Sequence, residues 1–147
     1  MQNTALITGA SFGIGKELAK IHASKGGDLV LVARSEDSLD ELKCDLESKY
    51  KIKVKNIVKD LSNPNASNEI YEELSNENIK IDILINNAGF GLRGEFDKLS
   101  LNRQEQMINL NILALTQLTH LFLQDFRKVN SGKILNVSSV ASLMPGP

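Results

Sequence analysis

The strongest constraint on this chain is the order of its hydrophobic runs. Short, mostly apolar segments, TALIT (4–8), DLVLVA (28–33), VKNIV (54–58), IDILIN (81–86) and KILNV (133–137), alternate with longer segments of helical periodicity. The helical patterns cover roughly 13–25, 36–49, 65–78 and 101–128, with a less regular stretch at 87–100. Strands this apolar are buried on both faces, as in parallel sheets. A parallel sheet needs a crossover between successive strands, and right-handed crossovers through helices cover both faces. The expected architecture is α/β: a doubly wound parallel sheet with helices on both faces, ending after its fifth strand, in one domain over 1–147.

The turn after the first strand carries the chemistry. TGASFGIG (8–15) joins that strand to the first helix. Gly9 permits a tight turn, Gly13 lets the backbone approach a pyrophosphate, and Gly15 lets helix and strand pack closely. The N–H groups at the new helix N-terminus then face the phosphates, with the helix dipole favouring negative charge. With a strand before it and a helix after it, this pattern reads as a dinucleotide-binding loop, and the sheet as Rossmann-type.

The second strand ends at Arg34. An acid there would accept the 2′-hydroxyl of NAD, whereas an arginine holds the 2′-phosphate of NADP. Glu36 and Asp37 come slightly too late. Arg34, with Ser35 and the loop residue Ser11, therefore favours NADP(H), with NAD(H) as the second choice. A solvated arginine ahead of a helix is the competing reading, and it stays open here.

The last helical segment is apolar on two sides. Met107, Leu110, Ala114, Leu118 and Leu121 form one stripe; Ile108, Ile112, Leu115, Phe122 and Phe126 form a second. One side suits the sheet, and the other needs a neighbouring helix or subunit, so a homo-oligomer is expected of the intact protein.

Four motifs fall in order at successive strand ends: TGASFGIG, Asp60-Leu61 after the third strand, NNAG at 86–89 after the fourth, and NVSS at 136–139 ending the fifth. With them the chain resembles the classical short-chain dehydrogenase/reductase family over its whole length. The resemblance implies a cofactor loop of Gly9, Ser11, Phe12, Gly13, Ile14 and Gly15. It implies that Asp60 accepts from the adenine amino group while the Leu61 backbone supports the ring. Asn87, Ala88 and Gly89 would line the adenosine ribose, Val137 would join the cofactor site, and the NNAG turn would brace the sheet through Thr8. Asn86 is expected to tie neighbouring strands together.

On the same resemblance, Asn111 would be the helix asparagine whose neighbourhood holds a relay water, and Ser139, rather than Ser138, the serine that holds a substrate carbonyl. A mid-helix asparagine is unfavourable without a partner, which independently singles out Asn111. The implied activity is NADP(H)-dependent interconversion of a carbonyl and an alcohol by hydride transfer. That family places a Tyr-x-x-x-Lys motif about a dozen residues after the serine, its tyrosine contributing about 10²–10⁴ as general acid. Neither Tyr50 nor Tyr71 is followed by lysine four residues later. A polypeptide of these 147 residues is accordingly expected to be nearly inactive and prone to associate through its fifth strand and last helix. A non-enzymatic NADP-binding sensor or partner module is the alternative, and Ser139 beside Asn111 speaks against it. FGLRGEF (90–96) is expected to wall the substrate site.

Composition narrows the field by exclusion. With 17 basic and 18 acidic residues, the net charge of −1 offers no stripe for nucleic acid. Lys51, Lys53 and Lys55 alternate as on an edge strand. One cysteine, Cys44, and two histidines, His22 and His120, assemble no metal site by spacing and suit a reducing compartment. No apolar run approaches membrane-spanning length, so a cytoplasmic location and a small-molecule partner are expected.

Overall fold

In a computed structural model, residues 3–140 are described. Five strands, β1 (Thr4–Thr8), β2 (Asp28–Ala33), β3 (Val54–Val58), β4 (Ile83–Asn86) and β5 (Lys133–Asn136), form a single sheet in the order β3-β2-β1-β4-β5. Every pairing is parallel. The helices are α1 (Gly13–Ser24), α2 (Glu36–Tyr50), α3 (Ala66–Asn76), α4 (Leu101–Ile108) and α5 (Leu115–Lys128).

Alternate residues of β1 to β4 feed two cores, whereas β5, expected to be buried, is mostly exposed and adds only Ile134 to the second. Ala5, Ile7, Leu29 and Leu31 pack with Ala19 of α1 and Leu39, Leu42 and Leu46 of α2. Leu6, Val30, Val32 and Leu84 pack on the other face with Ile70 and Leu74 of α3 and Leu118, Phe122 and Phe126 of α5. The near-continuous apolar runs thus reflect burial on both sides of the pleat.

β4 begins two residues later than the run IDILIN suggests. Asp82, exposed just ahead of it, is tied to the start of β1: its carboxylate accepts from Thr4 N at 2.9 Å, and its N–H donates to Thr4 O at 2.9 Å. β3 is the outer strand on one side, and Lys55 on it pairs with Glu73 and Glu77 of the α3 end at 2.7 and 2.8 Å.

The last helical segment requires a correction. Between α4 and α5, residues Asn109–Ala114 form a π-helix. Its wider turn rotates everything downstream relative to an α-helical count. The buried stripe is Ala114, Leu118, Phe122 and Phe126 at i+4 spacing, drawing two residues from each of the two expected stripes. Phe122 meets Tyr71 of α3 edge-to-face at 5.4 Å. The phenylalanines are covered from within, and the outward apolar residues are Leu101, Ile108, Ile112 and Leu123. Among the described residues, no helix is long and apolar enough to cross a membrane.

Candidate functional site

In this strand order the crossovers reverse direction between β1 and β4. A crevice opens there at the carboxyl ends of the strands, where doubly wound sheets bind ligands. The loop after β1 and the NNAG turn after β4 form its two lips.

The lips are fastened together through Thr8, which is 2% exposed. Its hydroxyl accepts from the backbone N–H of both Asn87 and Ala88 at 3.0 Å. The Asn87 side chain closes the joint from the other direction, its Nδ2 donating to Thr8 O at 2.9 Å and Gly9 O at 3.2 Å. Asn87 thus spends its amide donors on the glycine loop rather than toward the cleft. Asn86 points the other way, its Nδ2 reaching Thr119 Oγ1 at 3.0 Å and Asn136 Oδ1 at 2.9 Å, which joins β4 to α5 and β5.

The three loop glycines differ in what demands them. Gly9 has φ +66°, and a Cβ there would meet Ala88 Cα at 2.9 Å. Gly15 has no room for a side chain, since a Cβ would lie 2.5 Å from Asn87 Nδ2 and closer still to the Gly9 carbonyl oxygen. Gly13 also has a positive φ, +57°, but a Cβ there would meet nothing. Open space over a left-handed backbone is the cradle that a pyrophosphate would fill. Helix α1 starts here with no side-chain cap and no acid in its first turn, and Phe12 and Ile14 are exposed beside it.

A cleft of about 130 Å³ runs from this loop across the ends of β2, β3 and β4. It brings together Gly9, Ser11, Phe12, Arg34, Asp60 and Leu61 with Ala88 and Gly89. Asp60 Oδ1 accepts from Ser62 N at 2.9 Å and Ser62 Oγ at 2.7 Å. Partial burial pushes its carboxyl up, but those two hydrogen bonds and the positive charges of Arg34 and Arg103 outweigh it and hold the group below its ordinary value. Arg34 is exposed at the end of β2, with no ion pair among the described residues; Ser35 Oγ is hydrogen-bonded to Ser38 Oγ at 2.8 Å.

Asn111 sits in the π segment, and both ends of its amide hold one residue: Nδ2 donates to Phe90 O at 2.8 Å and Oδ1 accepts from Phe90 N at 3.1 Å. Ser138 and Ser139 lie exposed beyond β5, and Val137 N donates to Asn86 O at 2.9 Å. Val137 and Ser139 therefore stand across β4 from the 130 Å³ cleft and do not line it. Phe90, expected in a wall of the substrate site, lines it instead, as do Val32, Ala33, Lys59 and Leu110, which motif reading passes over because such residues have no distinctive spacing.

Comparison with known proteins gives the same direction throughout. A family model described as short chain dehydrogenase matches residues 3–147. The chain is 34% identical over 151 residues to the very-long-chain 3-oxoacyl-CoA reductase of Homo sapiens, covering 97% of this chain and 46% of that protein. It is 40% identical over 144 residues to the NADP-dependent 3-hydroxy acid dehydrogenase of Schizosaccharomyces pombe, covering 94% and 54%. Among solved structures, a short-chain dehydrogenase from Sphingobium yanoikuyae in complex with NADPH superposes with a TM-score of 0.91 at 38% identity, over 97% of this chain and 56% of that one. The chain spans about half the length of the curated relatives it matches.

Proposed function

Since the chain belongs to the short-chain dehydrogenase family, we propose that it binds NADP(H) and serves an oxidoreductase that interconverts a carbonyl and an alcohol by hydride transfer. The observation that carries the cofactor reading is the cleft at the topological switch point, with the open Gly13 cradle at one end and Arg34, without a competing strand-end acid, at the other. Relatives named as NADP-dependent or solved with NADPH favour the same cofactor.

The nicotinamide, when bound, gives or takes the hydride; the chain's residues bind and orient. The N–H groups opening α1 hold the pyrophosphate, and Arg34 takes the 2′-phosphate. Asp60 keeps one carboxylate oxygen for the adenine amino group. Ser139 orients the substrate carbonyl by hydrogen bonding to its oxygen. Asn111 acts by fixing the Phe90 main chain, which leaves a relay water to the backbone of the π segment.

Neither tyrosine here is suited to the acid step. Tyr71 donates to Asp125 Oδ2 at 2.7 Å, and that bond, with burial, raises its pKa, the opposite of what an efficient acid near neutrality needs. A polypeptide of these residues alone is expected to bind cofactor without turnover. The exposed Ile108 and Ile112 form the face through which two copies of the protein associate. Ile112→Glu should shift the full-length protein toward monomer in analytical ultracentrifugation.

Fluorescence titration with NADPH and NADH tests the cofactor reading. At least tenfold tighter binding of NADPH is expected, and equal affinities would refute the role given to Arg34. Since relatives act on 3-oxoacyl and 3-hydroxy acid compounds, those are the substrates to assay first.

A further inference from the structure

Phe90, the residue after NNAG, is half-buried and forms part of the cleft wall. It lies in a stretch without regular structure ahead of a short 3₁₀ turn at Phe96–Lys98. Two contacts from the following helical segment hold it. Asn111 fixes its main chain through the pair of hydrogen bonds described above. Arg103 of α4 covers its ring, with the guanidinium carbon 4.7 Å from the centroid. That guanidinium is itself restrained, since Nη1 donates to Gln106 Oε1 at 2.7 Å.

Phe90 shares the cleft with Arg34, Asp60 and Leu61, the residues at its adenosine end, and the charge of Arg103 helps lower the Asp60 carboxyl there. An arginine stacked on one face of a ring leaves the other face for a second flat group. We propose that Arg103 is a positioning residue for the nucleotide: it fixes the Phe90 ring as a preformed wall against which the adenine base packs. A free phenyl group would have to be immobilised on binding, and the stack removes that ordering cost beforehand. The inference rests on the nucleotide reading above and adds to it a residue from an element outside the strand-end motifs.

The test uses the full-length protein and three probes, 5′-AMP, 2′,5′-ADP and reduced nicotinamide mononucleotide, titrated calorimetrically. Arg103→Gln is expected to weaken both adenine probes by the same factor, about threefold to tenfold, and to leave the nicotinamide probe unchanged. Arg103→Lys, which keeps a cation over the ring, should recover most of that loss. Phe90→Leu should cost as much, and adding Arg103→Gln to it should cost nothing further. Unchanged affinity of Arg103→Gln for both adenine probes would overturn the proposal. So would a loss confined to 2′,5′-ADP, which would mean direct phosphate contact. If the unaltered protein binds neither adenine probe, the nucleotide reading fails first and this inference falls with it.

Discussion

Replacing Thr8 by valine tests the joint between the two lips of the crevice. Valine keeps the shape and the β-branching that suit a central strand, so packing and strand propensity barely change. It removes the oxygen that accepts from Asn87 N and Ala88 N, each at 3.0 Å. Each stranded donor costs about 1–3 kcal/mol. Both residues are half-buried, so water recovers part of the loss and a total of about 2–3 kcal/mol is expected. For a chain of this size that lowers the melting temperature by about 5–10 °C. Thr8→Ser keeps the hydroxyl and gives up a methyl group, a loss of about 1 kcal/mol. Urea unfolding followed by circular dichroism gives both numbers, and NADPH titration should show weaker binding by Thr8→Val because the NNAG turn loses its anchor. A Thr8→Val protein as stable as the unaltered one, or less damaged than Thr8→Ser, would refute the reasoning.

Other expectations follow from the same geometry. Gly15→Ala sets a methyl carbon 2.5 Å from Asn87 Nδ2, so the amide must leave the glycine loop; loss of NADPH binding together with lowered stability should be seen, and a tolerated alanine would contradict the packing. Arg34→Glu places an acid where the 2′-phosphate is expected, and the ratio of NADPH to NADH affinity should fall at least tenfold in fluorescence titrations. Tyr71→Phe tests a pH dependence. Hydrogen bonds from Lys128 and Tyr71 hold the Asp125 carboxyl below its ordinary 3.8, so its contribution is present above about pH 4 and is lost as pH falls through the depressed value. The Tyr71 hydroxyl, raised above 10.0, contributes below about pH 10 and loses that contribution as pH rises through its folded value. The stability difference between the unaltered protein and Tyr71→Phe should therefore be largest between about pH 5 and 9 and shrink on either side, as read by urea unfolding across pH. A difference that stays flat from pH 3 to 10 would exclude the linkage.

The amino-acid order alone determined which segments are strands and helices, that the strands run parallel beneath two layers of helix, and which family the chain belongs to. Those properties are local and periodic: an unbroken apolar run, a 3.6-residue stripe, and glycines at fixed offsets between a strand and a helix. The tertiary structure decided what depends on residues far apart in the chain. The hydroxyl of Thr8 and the backbone N–H of Asn87 meet across 79 positions, and the Asn87 side chain, held on Thr8 O by the same joint, adds to the Gly9 carbonyl oxygen in closing the space beside Gly15. The outward face of the last helix was likewise undecidable from periodicity. A π-helix at Asn109–Ala114 shifts the residues before it relative to those after it without any signature in the apolar pattern, and packing on the sheet and α3 decides that Phe122 and Phe126 go inward while Ile108 and Ile112 face out. The same turn carries Asn111, whose amide takes both polar groups of the Phe90 main chain. Spacing can mark such an asparagine as needing a partner, but which partner it finds is fixed only when two lips of a sheet and the helix behind them are packed together.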